Sequence, residues 1–395
     1  MKILYIGHYR DGTGWAHAAQ GYILSLDRVG IEVVPRSIKL NELSCPIPSR
    51  IEELETNSDK NCDVVIQHVL PHNMDFNGDI SKNIALYVTE TDHCKNTSWP
   101  ERIGLLDEAW VPNKFMANKQ AKNSHIATPH YVVPHAADMD KYQKDYEPLE
   151  FPFFKDKFVF YYIGEMNRRK NLGALLKAFH LEFRPEEDVG LAIKAHIAGE
   201  SAETSEQHLS ELSSKVKQGL KLYNDESLYH KEVFICGYLS DEQIMKMHKT
   251  FDCFVSTSFG EAWGIPIFDA MAMGKTPICT DSGGPKDFLG GGGYLVESRN
   301  ENCFGVLDSF GELYVGNEQW SSPDINSVRK FMRKAFENQL DRKTRSETGT
   351  NNAYKYSYAN VGNLMAKILA GNFADDAYNS QNIIKKMHSI KGVIQ

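Results

Sequence analysis

Short apolar runs alternate along this chain with longer stretches in which apolar residues recur every three to four positions. In the first third the runs fall at 2–7, 32–35, 63–68, 84–89, 109–112 and 131–134. They are rich in Val, Ile, Leu and Tyr and too short for buried helices, so they read as strands covered on both faces. Strands separated by helical stretches imply a parallel, doubly wound sheet. Around 141–156 the pattern lapses into charged and proline-bearing residues such as Lys141, Lys144, Asp145, Glu147 and Pro148. A second series of runs then opens at 158–164 and continues at 191–198, 232–236, 252–256, 276–280 and 294–296. The expected fold class is therefore α/β. Two Rossmann-like domains, at 1–150 and 151–355, face each other across a cleft, and a helical segment follows at 356–395. Between 199 and 230, Leu209, Leu212, Val216 and Leu220 keep helical spacing in a polar setting, which predicts a surface helix.

Candidate chemistry gathers where these strands end. After the run at 252–256 come Glu261, Trp263, Gly264 and Ile265, and the proline at 266 favours a helix start that carries the pattern to Met273. Asp269, one turn into that helix, can share a crevice with Glu261 and with the unpaired N–H groups of the helix start. Two carboxylates beside such donors suit a ligand that has both hydroxyls and phosphate. The bland alternative is an acid that merely complements the helix dipole. The next strand runs into Ser282, Gly283 and Gly284, a turn that can approach the same ligand. Arg168, Arg169 and Lys170 follow the run at 158–164, where a cation can reach a diphosphate or simply sit in water.

The first strand leads into a loop with Gly12, Thr13 and Gly14. Neither better-known phosphate loop fits: a Rossmann fingerprint needs glycine where His17 stands, and a P-loop needs lysine where Thr13 stands. Backbone amides of the loop can still approach a phosphate, and a plain tight turn explains the glycines equally well. The strand at 84–89 ends at Glu90, with Asp92 and His93 close behind. Gly237 and Tyr238 form the strand-to-helix loop after 232–236.

Taken together, these motifs resemble the retaining GT-B glycosyltransferases of family 4. The family signature of two acids separated by seven residues, then a strand and a Gly-Gly turn, corresponds to Glu261, Asp269 and Gly283-Gly284. Glu108-Ala-Trp-Val-Pro112 looks like a late strand of the family's first domain, and Val132-Val-Pro-His-Ala-Ala-Asp138 like its interdomain strand. Tyr161-Tyr-Ile-Gly-Glu-Met-Asn-Arg-Arg-Lys170 is similar to the first strand of the second domain with its basic loop. The chain after residue 353 is similar to the segment that crosses back to the first domain. The resemblance implies transfer of a sugar from a nucleotide-diphosphate sugar to a hydroxyl acceptor of unstated class. Glu261, Lys170, Arg169 and Glu90 would then take catalytic roles. The donor-binding set would be Asp269, Trp263, Gly264, Ile265, Gly237, Tyr238, Ser282, Gly283, Gly284, Gly12, Thr13 and Gly14. Two positions depart from the pattern: Asp269 stands for the usual glutamate, and Glu165 stands where the family has arginine. Lys170 matches the family's lysine, and Arg169 can supply the second charge from a neighbouring position.

Composition and charge narrow this picture. With 395 residues, 42% hydrophobic and 24% charged, the chain has enough material for two globular cores. The net charge of −8 provides no general attraction to nucleic acid, which counts against the rival reading of an acceptor that is a modified base of viral DNA. A catalytically silent nucleotide-sugar binder is the other. No apolar run approaches the length of a membrane span. The seven cysteines form no C-x-x-C pair and read as reduced core residues of a cytoplasmic protein. Asp138-Met-Asp140 imitates an Asp-x-Asp metal motif but falls in the interdomain strand-end segment. Neither a metal nor a cofactor is expected, the nucleotide sugar being a co-substrate.

Overall fold

The computed structural model describes residues 1–41, 44–304, 306 and 313–371. The described chain divides into two compact units. The first takes residues 1–139, 313–318 and 355–371, and the second takes 140–304, 306 and 319–354. Residues 140–150, counted with the first domain on composition, pack with the second unit. There the amide of Leu149 donates to Thr250 Oγ1 at 2.8 Å, and Lys249 pairs with Asp145 at 3.4 Å.

Six parallel strands make the sheet of the first unit: β1 (Lys2–Gly7), β2 (Glu32–Ser37), β3 (Val64–His68), β4 (Lys82–Leu86), β5 (Glu108–Val111) and β6 (His130–Val132). Their order is β2-β1-β3-β4-β5-β6. β3 and β5 are buried at every position, the polar Gln67, His68 and Glu108 included, as strands in a sheet covered on both faces should be. The helix Gly14–Arg28 starts at Thr13, whose hydroxyl accepts from the amide of Ala16. Against it lies the helix Tyr358–Leu369, which brings Val361, Met365 and Ile368 into the core of Ile3, Tyr5, Tyr22 and Leu26. Gly362 permits this approach, because a Cβ there would fall 2.2 Å from the carbonyl oxygen of Ser25. The described part of the C-terminal segment therefore packs on the first sheet; residues 372–395 of that expectation lie outside the described residues.

The second unit repeats the design with β7 (Phe158–Glu165), β8 (Val189–His196), β9 (Val233–Ile235), β10 (Cys253–Ser256), β11 (Ile278–Thr280) and β12 (Tyr294–Val296). All neighbours are parallel, in the order β12-β11-β10-β7-β8-β9. An antiparallel pair that the hydrophobic pattern does not announce, β13 (Ser298–Asn302) with β14 (Gln319–Pro323), completes the unit. The polar stretch after 199 forms the helix Ala202–Leu220, with Leu209 and Val216 buried. The helix Asp241–Thr250 begins with a capping box between Ser240 and Gln243.

Both sheets reverse their strand order once, between β1 and β3 in the first unit and between β7 and β10 in the second. Connections leave on opposite faces at such a point, which opens a crevice at the carboxyl ends of those strands. All seven cysteines are free. Among the described residues no helix is long and apolar enough to cross a membrane.

Candidate functional site

The reversal between β7 and β10 holds the densest group of charged side chains that the sequence singles out. The loop after β7 passes through Asn171 in the left-handed conformation, φ 51°, and is stitched to the loop after β10. The amide of Phe259 donates to the carbonyl of Arg169 at 2.8 Å, and the hydroxyl of Thr257 donates to that of Asn171 at 2.8 Å. Ser258 Oγ also reaches the Arg169 carbonyl, at 3.2 Å. This backbone coupling sets Lys170 Nζ 2.6 Å from Glu261 Oε1 and an Arg169 guanidinium nitrogen 3.5 Å from Glu261 Oε2. The same nitrogen donates to the carbonyl of Gly260 at 2.7 Å.

Burial alone would raise the pKa of Glu261. The charges of Lys170 and Arg169, with hydrogen bonds from Lys170 and Ser258, outweigh it and hold the carboxyl below its ordinary value. Glu261 is thus an ionised acceptor between two cations. Arg168 is exposed. Glu165, where the family has arginine, accepts from Asn167 Nδ2 at 3.1 Å.

The Gly-Gly turn packs directly on this loop. Gly283 has φ 60°, and a Cβ on it would lie 1.9 Å from the carbonyl oxygen of Glu261; on Gly284 it would lie 2.6 Å from Trp263 Cα. The Gly284 amide donates to the Glu261 carbonyl at 3.1 Å, so in this conformation that amide fixes the loop. Ser282 joins Ser258, Gly260, Glu261, Thr280 and Pro285 around a small cavity. Gly264, at φ 88°, turns the chain into the helix Ile265–Ala272, in which Pro266 occupies the first turn. The Trp263 ring is buried against Phe288 and Phe268, with centroids 5.0 and 5.7 Å away, so what position 263 offers a ligand is its main chain. Ile265 is half-buried at the helix start.

Asp269 has partners that sequence reasoning missed. Lys141 Nζ lies 3.0 Å from its Oδ1, and the Tyr142 hydroxyl donates to the same oxygen. Burial raises its pKa, while Lys141, His248 and the Tyr142 hydroxyl lower it further, so the carboxyl stays ionised. Both partners come from the short helix Met139–Gln143, inside the stretch where hydrophobic periodicity fails. No local signal links them to residue 269. Gly237 and Tyr238 follow the edge strand β9, separated from β10 by β8 and β7, and Tyr238 is 87% exposed.

The remaining candidates belong to the first unit. Gly12 has φ 70°; Thr13 uses its hydroxyl to cap the first helix and to bond Asp11 Oδ1 at 2.6 Å. Gly14 is exposed in the first turn of that helix. Glu90 is half-buried and accepts from the Tyr314 hydroxyl at 3.2 Å. His135 is buried edge-on to Tyr22, and burial lowers its pKa to about 3. His8, Trp15 and His68, which the sequence reading passed over, gather at the reversal between β1 and β3.

Residues 144–304 match the family described as glycosyl transferases group 1. A probable sucrose-phosphate synthase of Solanum tuberosum is 26% identical over 219 residues, 51% of this chain and 20% of that protein. A probable sucrose-phosphate synthase 2 of Arabidopsis thaliana is also 26% identical, over 221 residues, with the same coverage. The match thus spans about a fifth of the length of these curated relatives. Among solved structures, Anabaena HepE in complex with UDP and glucose aligns with a TM-score of 0.60 at 12% identity, over 94% of this chain and 100% of that one. A structure of trehalose-6-phosphate from E. coli bound with UDP-2-fluoro glucose aligns with a TM-score of 0.65 at 10% identity, over 93% of this chain and 99% of that one. The two doubly wound units are those of the GT-B fold.

Proposed function

We propose that this chain transfers a glycosyl group from a nucleoside-diphosphate sugar to a hydroxyl acceptor, with retention at the anomeric carbon and without a metal. The observation that carries the reading is the Lys170–Glu261–Arg169 cluster at the β7/β10 reversal, inside the segment that matches glycosyl transferases group 1. The demanding event in such a transfer is departure of the nucleoside diphosphate, because negative charge builds on its bridging oxygen. Lys170 is held by Glu261, and Arg169 by Glu261 and the Gly260 carbonyl, so they stabilise that charge without reorganising. Glu261 keeps lone pairs for sugar hydroxyls beyond those that face the two cations. Asp269 is the acceptor assigned to ribose hydroxyls. The departing diphosphate takes the proton of the attacking hydroxyl, so no enzyme nucleophile is required. Phosphate-binding cations around Glu261 set this apart from a glycosidase, which works with a carboxylate pair alone.

A nucleotide-sugar binder without turnover is the second reading, favoured by the engagement of Asp269 with Lys141 and Tyr142. A thermal-shift panel of nucleotide sugars identifies the donor, since a ligand that binds the folded form raises apparent stability. Product from that donor and a hydroxyl acceptor, with the donor's anomeric configuration read by NMR, supports transfer with retention. An inverted product, or binding with neither transfer nor hydrolysis, rejects it.

A further inference from the structure

A second charged cavity lies at the opposite edge of the second sheet, where β10 and β11 begin. It has a volume of about 460 Å³. Asp252 and Thr276, which precede those strands, line it together with Lys275 and with Gln339, Arg342 and Lys343 from the start of the helix Gln339–Ala353. β10 runs four residues, about 13 Å, between Asp252 and the loop that carries Glu261. The cavity is therefore a site separate from the Lys170–Glu261–Arg169 cluster.

Three cations meet one carboxylate here. Lys343 is exposed and has neither an ion-pair nor a hydrogen-bond partner among the described residues. Lys275 is half-buried, and its ammonium gives one of its three N–H groups to the carbonyl of Lys249 at 3.1 Å. Burial lowers its pKa, as befits an ammonium short of counter-charge. Arg342 is half-buried, its guanidinium 4.7 Å from the centroid of the Phe158 ring. Its Nη1 donates to the carbonyls of Ala335 and Phe336, the latter at 3.0 Å, which leaves Nε and Nη2 for an acceptor. The ring and the two carbonyls thus fix the guanidinium before a ligand arrives.

Nearby acid does not neutralise these charges. Asp341, in the same helical turn as Arg342, is taken by Lys334 at 3.2 Å, by Arg345 at 2.9 Å and by the Tyr294 hydroxyl. Asp252 is the one carboxylate among the residues that line the cavity, and one of its oxygens accepts from the amide of Val159 at 2.7 Å. The first amides of the helix Gln339–Ala353 add partial positive charge. A held guanidinium fork with two ammonium groups selects a compact dianion. The cavity has more room than a phosphate group fills, and there Asp252 and the Gln339 amide suit hydroxyls.

We propose that this cavity binds a phosphate monoester, whose dianion is held by Arg342, Lys343 and Lys275 and whose hydroxyls bond Asp252 and Gln339. The site does not depend on the transfer reading above.

Titration of the full chain with ribose 5-phosphate, followed by 31P NMR and calorimetry, tests this, with inorganic phosphate and ribose as comparisons. Ribose 5-phosphate is expected to bind more tightly than inorganic phosphate, and ribose not to bind. Lys343→Glu and Arg342→Gln should each weaken the ester roughly tenfold or more, as loss of a charged hydrogen bond does. Lys170→Ala should leave it unchanged, because that lysine belongs to the other edge of the sheet. Should Arg342→Gln prove unfolded, Lys343→Glu decides, because Lys343 has no partner to lose. If UDP fails to bind the wild type while the ester binds, the transfer reading falls and this site stands. The proposal is overturned by absence of ester binding, by unchanged affinity in Lys343→Glu, or by equal affinity for inorganic phosphate or ribose. Loss of binding in Lys170→Ala overturns it as well, since the ester would then sit at the donor cluster.

Discussion

The ammonium of Lys141 sits 3.0 Å from Asp269 Oδ1, the oxygen that also accepts the hydroxyl of Tyr142. An acid assigned to a nucleotide is thus held from within its own unit, and the shorter aspartate occupies a place already walled by a phenol and an ammonium.

If Asp269 accepts from ribose, Asp269→Ala weakens a nucleotide sugar and its free nucleoside diphosphate alike, by roughly 1.5–3 kcal/mol for a lost charged hydrogen bond. Tyr142→Phe releases one lone pair and should tighten both ligands severalfold. Calorimetric titration with a nucleoside-diphosphate panel measures each. Unchanged affinity in Asp269→Ala would reduce this acid to an anchor for the helix Met139–Gln143. Asp269→Glu has to displace Tyr142 and should cost about 1–3 kcal/mol of stability by overpacking.

Lys170→Ala should lower turnover by about a hundredfold or more, because it removes a donor needed as the leaving group departs. Thermal unfolding should change far less, since Arg169 still faces Glu261. Steady-state kinetics on the purified variant checks this. Near-normal turnover would remove Lys170 from the chemistry.

Glu261→Gln is expected to reduce transfer while nucleoside-diphosphate affinity stays nearly intact, because this carboxylate is assigned to the sugar. The comparison of kcat with free-nucleotide Kd decides. Equal losses in both would reassign Glu261 to ordering Lys170 and Arg169.

Acid stability should depend on Glu232, which accepts from His180 at 2.6 Å, Lys217 at 2.7 Å and Ser213 at 2.7 Å. Burial would raise its pKa, but these partners bring it from 4.5 down to about 2. A carboxyl depressed in the fold stabilises it fully above the unfolded value near 4.5 and loses that contribution as the pH falls through 2. The contribution is on the order of 3 kcal/mol. Denaturant unfolding between pH 7 and 2 should show this slope. Glu232→Gln should flatten it and also lower stability at pH 7, where Lys217 loses its counter-charge. A slope unaltered by the substitution would refute the assignment.

Transfer activity should survive excess chelator, because the charge on the leaving group is assigned to Lys170 and Arg169 instead of a metal ion. Loss of activity that added divalent cation restores would expose a metal site.

The sequence by itself determined whatever is encoded in local pattern. β1 was legible to the residue, since the four apolar residues between Lys2 and Gly7 are too few for a buried helix and suit a buried strand. Alternation of such runs with helical stretches made two parallel sheets legible, and Gly264, Gly283 and Gly284 marked backbone that turns where a side chain would clash. Glu261 and Lys170 were legible as candidates because strand-to-helix loops are where α/β sheets expose chemistry. Tertiary structure alone decided which candidates meet. Lys170 reaches Glu261 across a separation of 91 positions, and Tyr142 reaches Asp269 across 127. Strand order creates those contacts, and hydrophobic period does not encode strand order.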